Sequence, residues 1–245
     1  MVALHIGQNM EYVKINSLWK RQGWYFDQEK KKSPDYQKGR QSFILGDYAE
    51  EEFGAIKYWR VEEKVDGTNI RIEYTNQLDI SSVIINGRTE NAQIPCHLLN
   101  AIQPHFSVER MMGVFPNANK VILFGEGYGP KIQKGGGNYR KTPGFILFDV
   151  WIDGWWLKRE NVQELAKELE IEACPDLGIM TEDEIVEFVK SKPMSRCSET
   201  PRVMEGIIAR SEPLMLFRKK PVICEDPLTF GDNGPIMWKL KCKEF

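Results

Sequence analysis

The stretch that most constrains this chain is Glu62–Asn69, which has the sequence EEKVDGTN. It lies between two runs of β-forming residues, Ala55–Val61 and Ile70–Tyr74, and the second run alternates apolar and polar side chains as a half-buried strand does. An Asp-Gly pair between two such runs predicts a tight hairpin turn, because Gly67 accepts a positive φ angle and Asp66 tolerates one. By itself, the stretch predicts an ordinary hairpin with a solvated lysine at its edge.

The size and charge of the chain indicate a globular protein without a general affinity for polyanions. Its 245 residues suffice for one large domain or two small ones, and such a chain buries enough surface to fold without a metal or a disulfide. The formal net charge is −2, so binding to a nucleic acid would need a local cluster of cations. Three clusters are candidates: Lys30–Lys32, the four cations of Lys131–Lys141, and Arg218–Lys220.

The cysteines and the hydropathy pattern predict the compartment. Five cysteines, an odd number without a CxxC pair, argue against a zinc site and against a disulfide framework, and favour a reducing compartment. The N-terminus lacks a basic segment followed by an apolar run, and no stretch approaches the ~18 apolar residues of a membrane span. We therefore expect a soluble, cytoplasmic protein without a membrane partner.

The periodicity of the remaining chain predicts more strands than helices. The expected strands are Leu78–Ile85, Val121–Phe124, Phe145–Trp151, Val203–Arg210, Met215–Arg218 and Ile236–Cys242. The expected helices are Ile94–Phe115, interrupted by Pro104, then Asn161–Leu169, and Thr181–Val189, which begins with a capping box of Thr181 and Glu184. Lys131–Thr142 contains three consecutive glycines and is expected to be a mobile basic loop. Because strands and helices do not alternate regularly, the pattern favours an α+β fold built on antiparallel sheets.

Five short motifs follow the first stretch in a fixed order. They are Gly87-Arg88, Phe124–Glu126, Phe145–Asp149, Glu205–Ile208 and Trp238–Lys241. Each is weak alone, but together with the KxDGxN pattern of Lys64–Asn69 they resemble the motif set of the covalent nucleotidyltransferases. These enzymes are the ATP-dependent polynucleotide ligases and the mRNA capping enzymes. The chain is most similar to the RNA ligase 2 family, because it has Asn69 and the segment FGEGYGPKIQ that starts at Phe124.

The resemblance implies a fold and a reaction. The fold would be an α+β, antiparallel-sheet nucleotidyltransferase domain with the ATP-grasp-like architecture of ligase adenylation domains, spanning residues 1–245, with residues 1–54 as N-terminal decoration. The reaction would be ATP-dependent RNA ligation: self-adenylylation, transfer of AMP to a 5′-phosphate RNA end, and sealing of that end to a 3′-OH. The cofactors would be ATP and Mg²⁺, or Mn²⁺ in its place. The partner would be nicked or single-stranded RNA, with DNA or an RNA/DNA hybrid as other possible substrates.

The resemblance also implies roles for individual residues. Lys64 would be the nucleophile that forms a lysyl-AMP phosphoramidate, and Asp66 and Asn69 would act in later steps at the nick. The residues implied to hold the nucleotide are Glu63 for the adenine (with Glu62 as the alternative), Phe148 rather than Phe145 for stacking, Glu126 for the ribose, Arg88 for the ribose or a 5′-phosphate, and Lys239 and Lys241 for the phosphates. Glu205 would help to hold the divalent metal, since carboxylates suit a hydrated Mg²⁺ ion.

The chemistry of lysine supports the assignment independently. A lysine attacks phosphorus only as the neutral amine, but its usual pKa is about 10.4, so it needs desolvation or neighbouring cations. The period of two in a strand places Lys239 and Lys241 on one face of Trp238–Lys241, with Trp238 and Leu240 on the other. We expect these two lysines to lower the pKa of Lys64 and to offset the negative charge of the departing pyrophosphate.

The C-terminus departs from the family pattern and leaves alternatives open. The sequence ends four residues after Lys241, so we expect no C-terminal OB-fold, and a partner protein or a dimer to supply the missing contacts. One alternative is another enzyme on this scaffold, either a minimal ATP-dependent DNA ligase or a capping guanylyltransferase; the missing OB-fold counts against capping. A further alternative is a non-catalytic module that binds nucleotides or nucleic-acid ends, but such a module would not need Lys64.

Overall fold

The computed structural model describes residues 12–22, 43–77, 80–89, 91–134, 136–217 and 234–245. Its strands are β1 (Asn16–Ser17), β2 (Trp19–Arg21), β3 (Phe43–Tyr48), β4 (Trp59–Lys64), β5 (Thr68–Gln77), β6 (Ile80–Gly87), β7 (Lys120–Tyr128), β8 (Gly144–Ile152), β9 (Trp155–Trp156), β10 (Glu172–Ala173), β11 (Asp176–Met180), β12 (Gly206–Ser211) and β13 (Met237–Lys241). Its α-helices are α1 (Cys96–Ile102), α2 (Val108–Val114), α3 (Arg159–Glu168) and α4 (Glu182–Lys190).

Two large sheets form the body of the protein. The first sheet has the strand order β1-β13-β12-β4-β11, and the second has the order β10-β8-β7-β5-β6, with β9 paired to β8. Strands β2 and β3 form a small third sheet. Neighbouring strands are antiparallel except for two parallel pairs, β1 with β13 and β10 with β8. The prediction of an α+β fold with antiparallel sheets is therefore confirmed.

The predicted hairpin at Asp66-Gly67 is wrong. Strand β4 pairs with β11 and β12 in the first sheet, whereas β5 pairs with β6 and β7 in the second. Residues 65–67 therefore carry the chain from one sheet to the other. The physical reason is burial: Trp59 and Val61 of β4 belong to one hydrophobic core, and Ile70 of β5 belongs to another.

Gly67 is needed for space and not for its backbone angle. Its φ is not positive. A Cβ atom at this position would lie 2.2 Å from the carbonyl oxygen of Gly127 and 2.8 Å from Cγ of Glu126. The absence of a side chain thus allows the link between the sheets to pass close to β7.

Hydrophobic clusters on both sides of the sheets fix how the layers pack. On one side, Trp59 and Trp238 of the first sheet pack with Ile185 of α4. On the other, the second sheet packs on α1, α2 and α3. Helix α3 contributes Val162, Leu165 and Ala166 at helical spacing, and Leu169, the residue after the helix, packs with them. Between the sheets, Tyr12, Phe124 and Met237 form a cluster with Ile208 against it. The two sheets therefore face each other, and a cleft opens between them.

Most of the predicted elements are present, with changes at their ends. Pro104 lies in a 3₁₀ turn that separates α1 from α2, and the capping box of Thr181 and Glu184 is formed at α4. Strand β7 continues to Tyr128, four residues beyond its prediction. The predicted strand Met215–Arg218 is reduced to one bridge between Leu216 and Pro235, and Arg218 lies outside the described residues.

Several other sequence predictions bear on surface and compartment. The basic clusters Lys30–Lys32 and Arg218–Lys220 lie outside the described residues. Cys96, Cys174, Cys197 and Cys242 are free, and Cys224 is not described. Among the described residues, no helix is both long enough and apolar enough to cross a membrane.

Candidate active site

A cleft of about 260 Å³ lies between the two sheets and collects residues from distant parts of the sequence. Seven of the predicted site residues line it: Glu63, Lys64, Asn69, Arg88, Glu126, Phe148 and Lys239. Glu205 and Lys241 do not line it. Glu205 forms ion pairs with both Lys64, which does line it, and Lys241. Asp66 lies just outside. The N-terminal segment Tyr12–Ile15, which the sequence suggested was decoration, forms part of the cleft wall.

Strand β4 delivers Lys64 to the cleft. Because side chains alternate along a strand, Glu62 and Lys64 point to the face opposite the buried Val61. Glu63 lines the cleft too, but its carboxylate is held by residues 195–197. It accepts hydrogen bonds from Ser195 Oγ at 2.5 Å, from the Arg196 backbone N–H at 2.7 Å and from Cys197 Sγ at 3.1 Å.

A single carboxylate bridges two of the lysines. The Nζ of Lys64 lies 2.6 Å from Oε2 of Glu205, and the Nζ of Lys241 lies 2.7 Å from its Oε1. All three side chains are partly buried, with side-chain exposures of 21%, 12% and 25% for Lys64, Glu205 and Lys241. The pairing follows from sheet register, since Lys64 and Lys241 both lie opposite Gly206, the residue after Glu205.

This carboxylate reverses the predicted shift of the Lys64 pKa. Burial favours the neutral amine, but the attraction of Glu205, with smaller contributions from Glu126 and Asp66, outweighs burial and raises the pKa of Lys64 above its ordinary value. The prediction that the pKa of Lys64 is lowered is therefore wrong. Paired with Glu205, Lys64 is an ammonium ion, and it must lose a proton before it can attack phosphorus.

Two other groups in the cleft have pKa values near neutrality. Burial, with the neighbouring charges of Lys64 and Lys241, lowers the pKa of Lys239 to about 8. Burial, against the attraction of Lys64, raises the pKa of Glu126 to about 7.

Trp238 and Leu240 pack in the core, so Lys239 and Lys241 do share the opposite face of β13, as predicted.

Phe148 lines the cleft, whereas Phe145 does not. Phe145 packs against Phe106 in the core of the second sheet, with ring centroids 5.5 Å apart. Phe148 is partly buried, and its ring centroid lies 4.9 Å from that of Tyr12. The aromatic wall of the cleft thus combines one residue of β8 with one from the N-terminal segment.

Beside the cleft lies a buried ionic network that the sequence did not reveal, of which Glu62 and Arg210 line the cleft. Nη1 of Arg210 lies 2.9 and 2.8 Å from the two oxygens of Asp149, which also accepts a hydrogen bond from the Tyr12 hydroxyl. Nη2 of Arg210 lies 3.4 Å from Glu62. Nε of Arg159 lies 2.5 Å from the other oxygen of Glu62. An arginine at the end of a buried strand, such as Arg210, is the one sequence signal for such a network, because buried charges need partners.

Arg159 connects this network to the backbone beside the aromatic wall. Its Nη1 donates a hydrogen bond to the carbonyl oxygen of Phe148 at 3.2 Å, and its Nη2 donates to that of Cys174. A single side chain at the start of α3 therefore links Glu62, two positions before Lys64, to the backbone of Phe148.

Of three further predicted residues, Asn69 and Arg88 line the cleft and Asp66 does not. Asn69 pairs with Glu126 across β5 and β7, and Arg88 is exposed at the end of β6. The backbone N–H of Asp66 donates to the Tyr139 hydroxyl at 3.3 Å. Gln133 donates to the carbonyl oxygen of Gly67 at 3.1 Å, so the basic loop 131–142 is attached to the link between the sheets.

The carboxylates fit a hydrated metal better than an all-protein cage. Among the described residues, no group of three or more histidine, cysteine, aspartate or glutamate side chains has the geometry to hold a metal ion. Mg²⁺ keeps several waters and uses one or two carboxylates together with substrate phosphates. Glu205 is such a donor, and Glu126 lies close enough to influence the same lysine.

The family was tested by comparison with known proteins. A model of the RNA ligase family matches residues 57–223, which is more than half of the chain. The chain belongs to the RNA ligase family. No curated protein sequence gives a match.

Solved structures of the Naegleria gruberi RNA ligase share the fold. A variant solved with ATP and Mn has a TM-score of 0.51 and 18% identity, covering 76% of this chain and 49% of that ligase. A variant with AMP and Mn has a TM-score of 0.52 and 19% identity, covering 78% and 51%. An apo variant has a TM-score of 0.52 and 18% identity, covering 76% and 50%. This chain thus spans about half the length of those ligases.

Proposed function

We propose that the chain is an ATP-dependent RNA ligase that adenylylates itself on Lys64. The observation that carries the proposal is the set of residues gathered at the cleft: Phe148, Lys64 and Lys239 line it together, and Lys241 shares the Glu205 carboxylate with Lys64. An aromatic ring suits an adenine, and cations suit phosphates. Membership of the RNA ligase family and the presence of ATP or AMP with Mn in the Naegleria structures support the same reading.

The first step would be in-line displacement at the α-phosphorus of ATP. Nζ of Lys64, after losing its proton, would form the P–N bond as the bond to the bridging oxygen breaks and pyrophosphate leaves. Lys239 and Lys241 would stabilise the negative charge that collects on the phosphates. The AMP would then pass to a 5′-phosphate of RNA with cleavage of the P–N bond, and attack by a 3′-OH would seal the strand and release AMP.

The other residues would position the nucleotide and the ends. Phe148 would stack on the adenine, with Glu63 or Glu62 near its edge, and Glu126 would accept hydrogen bonds from the ribose. Arg88 lies at the entrance, where it would meet the ribose or a 5′-phosphate. We assign Asp66 and Asn69 to the later steps on RNA, as the resemblance of the KxDGxN motif to the RNA ligases implies.

Glu205 would hold a Mg²⁺ or Mn²⁺ ion through its carboxylate. A divalent ion there would supply charge stabilisation for the triphosphate. For the chain itself, the consequence concerns Lys64: whenever the Glu205 carboxylate is turned away from it, the main influence that keeps Lys64 charged is removed.

The test is covalent labelling. Purified protein is incubated with α-labelled ATP, and separately with GTP, in the presence of Mg²⁺, and is then run on a denaturing gel. We expect an acid-labile label from ATP in the wild type and in Lys167→Ala, an exposed lysine of α3, and none in Lys64→Ala. Label from GTP alone would indicate a capping-type enzyme. No label from either nucleotide, with the protein folded, would overturn the proposal.

A further inference from the structure

A basic groove of about 680 Å³ adjoins the nucleotide cleft. Six cations line it: Lys14, Lys20, Arg21, Lys239, Lys241 and Lys243. The groove and the cleft share Lys14, Ile15 and Lys239, so they are continuous, whereas Lys64 lines the cleft alone. Strand β1 forms one side, since it pairs with β13 and places Ser17 opposite Lys239.

The groove keeps a local positive charge in a protein whose net charge is −2. Three of its cations are paired with carboxylates: Lys20 with Asp47, Arg21 with Glu244, and Lys241 with Glu205. Lys14, Lys239 and Lys243 form no ion pair within the part of the chain that the structure describes. Unpaired cations concentrated in one groove attract a polyanion even when the net charge of the whole protein is negative.

The chemistry of the proposed reaction predicts which phosphates reach this groove. Attack by Lys64 on the α-phosphorus expels pyrophosphate from the opposite side. In the next step the 5′-phosphate of RNA attacks the same phosphorus and expels Lys64, so it must enter from that same side. The groove adjoins the cleft at Lys239, and Lys64 lines the cleft but not the groove.

We propose that this groove binds the phosphate backbone of the RNA strand that carries the 5′-phosphate, an inference that rests on the proposed ligase function. Lys239 and Lys241 are spaced roughly 6.6 Å apart along β13, and Lys243 and Lys20 line the groove without lining the cleft. A compact pyrophosphate would reach the cations nearest the cleft, whereas an extended strand reaches the far end as well.

The test removes two cations at the far end. Lys20 and Lys243 line the groove but not the nucleotide cleft. The variant Lys20→Ala/Lys243→Ala is compared with Lys57→Ala/Lys167→Ala, which removes two exposed lysines that line neither site. Binding of a short, fluorescent, 5′-phosphorylated RNA is followed by anisotropy over a range of salt concentrations, without ATP. Self-adenylylation is measured in parallel with labelled ATP.

We expect the groove variant to bind RNA more weakly and the matched control to bind as the wild type does. The slope of log Kd against log salt should fall by roughly 0.7 for each phosphate of the single strand that the variant no longer neutralises. Unchanged RNA binding in the groove variant would overturn the proposal. So would a loss of self-adenylylation without a loss of RNA binding, because this would assign the groove to the triphosphate. If neither the wild type nor the variants self-adenylylate, the proposed ligase function is refuted. The binding data still decide whether the groove binds RNA, because binding is measured without ATP.

Discussion

The Nζ of Lys64 lies 2.6 Å from the Glu205 carboxylate, which holds Lys241 through its other oxygen. Lys64, the candidate nucleophile, is thus held by Glu205 as an ammonium ion, which cannot attack phosphorus. Glu205 itself has a lowered pKa, because the attraction of the two lysines outweighs the effect of its burial. The pair is therefore ionised at neutral pH, and the proposed adenylylation of Lys64 would require that it separate.

Replacing Glu205 with glutamine should lower the pKa of Lys64. Burial then acts on Lys64 without its main opposing charge, and burial favours the neutral amine. NMR titration of protein with ¹³C-labelled lysine side chains measures the shift, and Lys64→Arg identifies the signal. Glu199→Gln is the matched control, since Glu199 accepts a hydrogen bond from the Lys141 backbone and does not contact Lys64. A Lys64 titration that is the same in Glu205→Gln and wild type would contradict the argument.

Nucleotide affinity should decrease as the pH rises through about 8. The pKa of Lys239 is lowered to about 8 by burial and by two neighbouring lysines, so its charge is present below that pH and lost above it. The affinity for α,β-methylene ATP, whose α–β bridge cannot be cleaved, should fall severalfold between about pH 7 and about pH 9. Isothermal titration calorimetry over this range provides the measurement.

The arginine variant separates Lys239 from other titrating groups. Lys239→Arg keeps the positive charge at all these pH values, because a guanidinium has a pKa above about 12. Its affinity for the analogue should stay nearly constant where that of the wild type falls, while Lys167→Arg should behave as the wild type does. An equal decline in Lys239→Arg would show that another group is responsible.

The sequence predicted the residues of the cleft better than their electrostatics. Alternation along β13 was enough to place Lys239 and Lys241 on one face, and the motif order was enough to place Lys64 and Phe148 in the same cleft. The pKa of Lys64 was predicted with the wrong sign, since it depends on the distance to Glu205, a carboxylate 141 positions away. Sheet register sets that distance, and no local pattern encodes it.

The two other discrepancies have the same origin. The Asp66-Gly67 signal is local and describes a turn, but which strands pair is decided by the cores in which their apolar faces are buried. The network of Arg210 with Asp149 joins residues 61 positions apart, which lie on strands of different sheets, β12 and β8. Both features required the packing of two sheets to be known.

Removing the positive charge of Arg159 should destabilise the protein strongly. Its side chain is 2% exposed, pairs with the equally buried Glu62 and donates a hydrogen bond to the Phe148 carbonyl oxygen. Arg159→Met leaves a buried carboxylate with one partner fewer, and breaking a buried pair costs about 3–5 kcal/mol. Urea denaturation should show this as a lower free energy of unfolding.

A double variant tests whether the unpaired charge is the cause. In Arg159→Met the buried Glu62 carboxylate loses a partner. Arg159→Met/Glu62→Gln also removes the charge of that carboxylate, so the double variant should regain part of the lost stability. Arg110→Met, which breaks the exposed pair with Glu170, is the control and should cost less than about 1 kcal/mol. Glu62→Gln alone gives the cost of that substitution in the free energy of unfolding. If Glu62→Gln lowers the free energy of unfolding of Arg159→Met by the same amount, the two side chains are not coupled and the network does not have the assigned role.

Gly67→Ala should impair both stability and adenylylation, because the added methyl group meets backbone. Its Cβ would lie 2.2 Å from the Gly127 carbonyl oxygen and 2.8 Å from Cγ of Glu126, so the link between the sheets or β7 must move. We expect a loss of about 1–3 kcal/mol in the free energy of unfolding. Displacement of Glu126 in the cleft should also reduce the yield of labelled lysyl-AMP.

Gly113→Ala separates this steric effect from the general effect of losing a glycine. Gly113 lies in α2, and a Cβ there meets no atom within 4 Å. The substitution should leave adenylylation unchanged and stabilise the helix by up to about 1 kcal/mol, because alanine has the higher helix propensity. Urea denaturation and the labelling assay, applied to both variants, compare them directly. Wild-type stability and labelling in Gly67→Ala would mean that the link between the sheets approaches β7 less closely at Gly67 than the structure shows.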